Sequence, residues 1–163
     1  MADSIKTNRH VSCCDRSVSF CTGCSSCEFV CGLVHEGYTS PGNRRIMLDR
    51  NDVTCFHKVY TCMNCEDPAC YNACPLKDEA MCYDEELKVA YVNADNCIGC
   101  GMCVSACVFE PARIQISGDN KAVKCDLCRG REEGPACIEY CQAMVIGISG
   151  EQVPTAEEGV RYE

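Results

Sequence analysis

The chain has 163 residues with 20 cysteines, 4 Phe, 7 Tyr and no Trp, so cysteine stands at about 12%, past the roughly 8–10% at which it governs a fold. Leu, Ile, Val and Phe together number 31, too few for ordinary packing to hold a charged chain of this length unaided. A formal charge of -9 and a pI near 4.8 exclude a phosphate-backbone binder, so no nucleic acid is expected as partner, and no apolar run reaches the roughly 18 residues of a transmembrane segment.

In chain order, residues 1–20 read as a polar lead with no apolar signal core, no small-residue cleavage site and no twin arginine, closing in a short extended stretch, Ser17–Phe20. A cytoplasmic chain is the expectation. The first cysteine set follows as Cys21-x2-Cys24-x2-Cys27-x3-Cys31, and Glu28–His35 is predicted helical with Gly37 as its C-cap. The run TSPGN, Thr39 to Asn43, is turn chemistry, and Arg44–Leu48 with Val53–Tyr60 is predicted as a strand pair around the polar Asp49–Asp52. The second set, Cys62-x2-Cys65-x4-Cys70-x3-Cys74, is interrupted by Asp67–Pro68, with a short helix before Pro75. Val89–Val92 is a predicted strand feeding the turn Asn93–Asn96 and the third set, Cys97-x2-Cys100-x2-Cys103-x3-Cys107. Arg113–Ile116 and Lys121–Lys124 make a predicted hairpin around Ser117–Asn120. The fourth set, Cys125-x2-Cys128-x8-Cys137-x3-Cys141, precedes a polar tail from Gly150.

Sixteen of the twenty cysteines thus repeat one device, which a disulfide framework has no reason to do. Zinc ribbons need pairs and leave a third cysteine and an x3 partner unexplained. The first and third sets have the spacing of bacterial ferredoxins that carry 4Fe-4S clusters, and the other two lengthen the middle gap. A tight C-x2-C-x2-C loop wraps three thiolates around one face of a cubane, with Gly99 and Gly101 permitting the turns. The fourth cysteine is expected to begin a helix, to point away from the loop and so to reach a different cluster, whose identity the spacing leaves open.

The four sets and the segment KCDLCRGREEGPACIEYC, Lys124 to Cys141, resemble the four-cluster ferredoxin-type electron-transfer subunits of molybdenum and tungsten oxidoreductases, hydrogenases and related complexes. The match runs from about Phe20 to Ile148. A narrower segment, CGLVHEGYTSPGNRRI, is similar to the polyferredoxins that accompany tungsten-dependent aldehyde oxidoreductases and their benzoyl-CoA reductase relatives.

An α+β fold of two ferredoxin-like dicluster units is expected: 1–61 with 108–150 around sets one and four, and 62–107 around sets two and three, with 151–163 a polar tail. The resemblance implies ligands exchanged between sets. Cys21, Cys24 and Cys27 would share a cluster with Cys141, and Cys125, Cys128 and Cys137 one with Cys31. Likewise Cys62, Cys65 and Cys70 would go with Cys107, and Cys97, Cys100 and Cys103 with Cys74. Val108 and Gln142 stand where the family often has proline after the fourth cysteine, a change that bears on local packing and potential more than on ligation.

What the resemblance implies is a non-catalytic subunit with four 4Fe-4S clusters. It would work between a tungsten or molybdenum pterin subunit, of aldehyde oxidoreductase type, and a flavin subunit or ferredoxin. Formate dehydrogenase or hydrogenase complexes, or a free polyferredoxin, are the alternatives, and self-association would extend the wire. The residues agree: no nucleophile–base pair or phosphate loop appears, and the C-x3-C-x2-C spacing of radical enzymes is absent. Cys13, Cys14, Cys55 and Cys82 are read as small buried hydrophobes. His10, His35 and His57 are not needed as ligands; His35 and His57 are read as ordinary surface or interface histidines, and Asp84–Glu86 with Glu157–Glu158 as solvated faces.

Overall fold

The computed structural model describes residues 5–13 and 21–149; the stretch Ser17–Phe20 and the tail from Gly150, with Cys14 and Glu157–Glu158, lie outside the described residues. The elements are β1 (Val11–Cys13), α1 (Ser26–Glu36), β2 (Met47–Asp49), β3 (Lys58–Tyr60), α2 (Ala69–Asn72) and β4 (Met81–Asp84). They continue with β5 (Val89–Val92), α3 (Met102–Ser105), β6 (Ile114–Ile116), β7 (Ala122–Lys124), α4 (Ala136–Glu139) and β8 (Ile146–Ile148). All strand pairs are antiparallel and two-stranded: β2–β3, β4–β5 and β6–β7 are hairpins, whereas β1–β8 joins the two ends of the chain with Val11 opposite Ile148.

A two-stranded sheet is marginal alone in water, so each pair must lean on something. One core gathers Val11, Ile46, Val145 and Ile146 with cysteines of the first and fourth sets and Cys62 of the second, and α1 packs on α4 beside it. The other gathers Met81, Ala90, Ile114 and Ala122 with cysteines of the second and third sets, where α2 packs on α3. Cys27, Cys31, Cys62, Cys103, Cys125, Cys128 and Cys137 occupy buried positions that aliphatic residues fill in an ordinary domain. The β6–β7 hairpin packs with the second core, through contacts of β6 with α3 and of β7 with β5.

Helix α1 ends where Gly37 adopts φ 75° and donates its N–H to the Leu33 carbonyl, the expected left-handed C-cap. The strand predicted over Val53–Tyr60 shortens to Lys58–Tyr60, because Asn51 Oδ1 accepts the Thr54 N–H at 3.0 Å and turns the chain, leaving Val53 exposed. β4 and the β1–β8 pair were not expected. In β4, Asp84 is not free in solvent: its Oδ1 accepts the N–H groups of Glu86 (3.1 Å) and Leu87 (2.9 Å) and closes the hairpin turn. No helix among the described residues is long and apolar enough to cross a membrane.

Candidate metal centres

Each cysteine set follows one local plan. The residue before the second cysteine is left-handed in all four: Gly23 (φ 69°), Asn64 (φ 44°), Gly99 (φ 68°) and Leu127 (φ 60°). Glycine adopts that conformation freely and asparagine tolerates it, whereas at Leu127 an L side chain is held there against its preference. The third cysteine is then the second residue of a helix in every set: Cys27 in α1, Cys70 in α2, Cys103 in α3 and Cys137 in α4. This corrects the expectation that the fourth cysteine begins the helix. The fourth stands four residues after the third, one helical turn on.

The helix is entered in two ways. In the short-gap sets a second left-handed residue, Ser25 (φ 62°) or Gly101 (φ 75°), precedes it. In the long-gap sets Pro68 or Pro135 does so, with its φ already fixed near the helical value.

These loops bring cysteines of different sets together. Cys62, Cys65, Cys70 and Cys107 line one cavity, closed by Pro68, Ala90, Ile114 and Lys124. Cys74, Cys97, Cys100 and Cys103 line a second, closed by Ile98, Met81 and Val92. The other two groupings are read from the thiols themselves. Burial pushes the Cys27 thiol up to about 12, Glu28 adds to it, and the neighbouring Cys21 and Cys141 thiols act in the same direction. Cys137 is raised well above the ordinary thiol range by burial and then by Cys125, Cys31, Cys128 and Cys27. In the first cavity Cys70 rises to about 11 through burial, opposed by Lys124 and reinforced by Cys62 and Cys107.

Buried thiols this crowded resist ionisation on their own. Ligated iron supplies the positive charge that lets such groups exist as thiolates, so the donor chemistry and the four-cysteine cavities fit iron–sulfur cubanes. Cys24 differs: it is exposed, and hydrogen bonds involving Ser26 hold its thiol below the usual range. Backbone N–H groups point at several sulfurs, from Arg45 to Cys31 (3.2 Å), Arg113 to Cys107 (3.3 Å) and Ala122 to Cys97 (3.3 Å).

Two histidines depart from the reading as ordinary surface groups. His35 Nε2 lies 3.5 Å from Cys128 Sγ and 3.7 Å from Asp126 Oδ1, and burial lowers its pKa. His57 is buried with its ring against Gly23. His10, also buried, hydrogen-bonds the Asn8 carbonyl at 2.9 Å. Among the unassigned cysteines, Cys13 packs against the first core and Cys82 is half-buried near the Asp78 and Glu79 carbonyls, but Cys55 is exposed, because it sits in the turn that replaces the expected strand. Sequence reasoning passed over Lys124, whose side chain is buried in the wall of the first cavity; its only signal was a charged residue ending an otherwise apolar strand.

Comparison with known proteins agrees with this chemistry. The 4Fe-4S dicluster domain matches residues 53–150, which hold the second, third and fourth sets. The chain is 40% identical over 121 residues to the aliphatic sulfonate oxidoreductase, polyferredoxin-like subunit, of Pyrococcus furiosus, covering 74% of this chain and 66% of that protein. It is 30% identical over 169 residues to the nitrate-inducible formate dehydrogenase iron-sulfur subunit of Escherichia coli, covering 88% of this chain and 56% of that one. The chain therefore spans somewhat more than half of the length of these relatives. Among solved structures, the BamBC active site complex of benzoyl coenzyme A reductase aligns with a TM-score of 0.49 and 16% identity, over 97% of this chain and 85% of that one. By its matched domain and its cysteine sets, the chain belongs to the 4Fe-4S dicluster family.

Proposed function

We propose that the chain is a polyferredoxin subunit that relays single electrons through four 4Fe-4S clusters, between a tungsten or molybdenum pterin subunit of aldehyde oxidoreductase type and a second redox partner, a flavin subunit or ferredoxin. The observation that carries this reading is the pair of cavities each lined by four cysteines, three from one set and the fourth from another. On this reading the ligands are grouped as Cys62, Cys65, Cys70 and Cys107; Cys74, Cys97, Cys100 and Cys103; Cys21, Cys24, Cys27 and Cys141; and Cys31, Cys125, Cys128 and Cys137. Bound there, each cluster supplies a one-electron couple whose potential follows charge, hydrogen bonding and exposure.

The chain's own part is to hold, space and shield. Only Cys24 and Cys100 of the sixteen are exposed, so the sets containing them are the ends of the relay and the other two its interior. The ends then fall in different units, sets one and four in one and sets two and three in the other, with β6–β7 leaning on the second. The choice of an aldehyde oxidoreductase type partner rests on the segment Cys31–Ile46 and on the Pyrococcus relative, itself named as the polyferredoxin-like subunit of an oxidoreductase. Similarity to the formate dehydrogenase iron-sulfur subunit favours, as second reading, the same role in a formate dehydrogenase complex.

Iron and sulfide analysis of anaerobically purified chain is expected to give about sixteen irons, four for each four-cysteine set. An anaerobic pull-down should bring a pterin-containing enzyme with it, and an aldehyde should then reduce the clusters. A stoichiometry near about eight irons or substantial zinc would overturn the ligand reading. Turnover of aldehyde by the chain alone would overturn the carrier role.

A further inference from the structure

Lys124, the last residue of β7, is 2% exposed. Its ammonium donates to the Ala90 carbonyl and, at 3.2 Å, to the Cys125 carbonyl. No carboxylate pairs with it among the described residues. An ammonium taken out of water without a counter-charge is strongly unfavourable, so the fold must supply negative charge from elsewhere. What it faces is sulfur: Lys124 lines the cavity of Cys62, Cys65, Cys70 and Cys107, and the residue after it is Cys125. Cys62 and Cys70 belong to the cavity that Lys124 itself lines, whereas Cys125 belongs to the fourth set and shares the first core with Cys62. The ammonium thus stands where the two interior sets meet, bonded on one side to β5 and on the other to the first residue of set four.

We propose that Lys124 is the counter-charge of the two interior clusters, and that it raises the reduction potential of the one held by Cys62, Cys65, Cys70 and Cys107. The inference rests on the ligand grouping proposed above. A thiolate-ligated cluster carries net negative charge, and each reduction adds one more unit of it. A fixed cation in a dry site favours the reduced form of whichever cluster it faces most closely. Lys124 lines the cavity of all four cysteines of that cluster, whereas toward the fourth set its ammonium meets the Cys125 carbonyl. The second position on the relay is therefore favoured as the resting place of an electron, with a smaller effect on its neighbour.

The test is an EPR-monitored redox titration of the anaerobically purified full chain, as wild type, Lys124→Met and Lys124→Arg, with iron analysis of each. In fully loaded Lys124→Met, one centre should become at least tenfold harder to reduce, which is about 59 mV for one electron, and a second should shift less. Lys124→Arg should restore most of the difference, which a purely structural role would not require. Four unchanged potentials in fully loaded Lys124→Met would overturn the inference.

If that variant loses iron, wild-type chain labelled with 15N at lysine Nζ decides the matter. Pulsed EPR of the reduced chain should show a weak nitrogen coupling that persists in Lys121→Arg, a needed control because Lys121 Nζ lies 2.6 Å from the Cys97 carbonyl. Absence of that coupling would overturn the proposal. The ligand reading fails separately: Cys62→Ala with its full iron content would break that reading whatever Lys124 does.

Discussion

The first and third cysteine sets are built alike and finished differently. Both have a left-handed glycine before the second cysteine and a left-handed residue after it, and in both the fourth sulfur accepts an N–H from an arginine, Arg45 or Arg113. Both arginines are followed by a buried isoleucine, Ile46 or Ile114, at the start of a hairpin. Each hairpin folds back over the glycine of its set: His57 over Gly23, and Asn120 over Gly99. The covers are not equivalent, however. His57 presents a side-chain ring, whereas Asn120 presents a backbone carbonyl as well as its amide. The rims differ too. Exposed Cys24 stands beside the Ser26 hydroxyl at 3.4 Å, and exposed Cys100 is flanked by the exposed apolar side chains of Ile98 and Met102. Spacing dictates the loop around the cluster, and the hairpins and rim residues make the two ends of the proposed relay distinct.

The largest effect tests whether the set or the cysteine count matters. Cys100→Ala should cost one cluster, about four of about sixteen irons, and disturb the core around Met81 and Ala90, because cluster binding is coupled to folding in so thin a core. Cys82→Ala should keep all its iron, since its thiol reaches only carbonyls. Iron analysis and the visible charge-transfer absorption check both. Loss of a whole cluster in the Cys82 variant would mean that the two sets do not use the ligands grouped above.

Next comes the difference between the covers. A Cβ on Gly99 would sit 2.0 Å from the Asn120 carbonyl oxygen, which only a backbone shift can relieve. On Gly23 it would meet His57 Nε2 at 2.8 Å, and a ring can turn aside. Left-handed strain adds about 1–2 kcal/mol in either place, and overpacking about 1–3 more where the neighbour cannot give way. Gly99→Ala should therefore be destabilised by about 3 kcal/mol or more and Gly23→Ala by about 2. Denaturant unfolding, followed by iron release, measures both. Equal losses would show that His57 is held as rigidly as the Asn120 backbone.

The cysteine spacing announced the loops and short helices, and strand and turn patterning announced two of the three hairpins, because each is a consequence of residues close together in the chain. The residues that a loop of this kind needs at positive φ are also readable where they are Gly23, Gly99 and Gly101, but not where Leu127 fills the same place under strain. What stayed hidden is non-local. β1 and β8 pair across nearly the whole chain with no turn between them to signal it, and β4 was masked by the acidic residues that close its own hairpin. His35 meets Cys128 from 93 residues away, and Lys124 is charged yet buried, a combination that composition and period assign to the surface. Side chains that tune a cluster come from outside its motif, so motif spacing cannot report them.

The smallest effect separates conformational strain from contact. Ser25 and Gly101 hold the same place, one residue after the second cysteine and just before the helix, at φ 62° and 75°. A Cβ on Gly101 would meet nothing within 4 Å, so any cost of Gly101→Ala is the left-handed backbone alone, about 1 kcal/mol. Ser25 already carries that cost, and its side chain makes no capping hydrogen bond to the helix it precedes. Ser25→Gly should then gain up to about 1 kcal/mol, less the entropy that glycine restores to the unfolded chain. Paired unfolding measurements on the loaded chain should show Gly101→Ala moving down and Ser25→Gly moving up or not at all. If Ser25→Gly instead lost stability by more than about 1 kcal/mol, the serine would be holding the Cys24 rim, and the two ends would differ in how their loops are held as well as in what covers them.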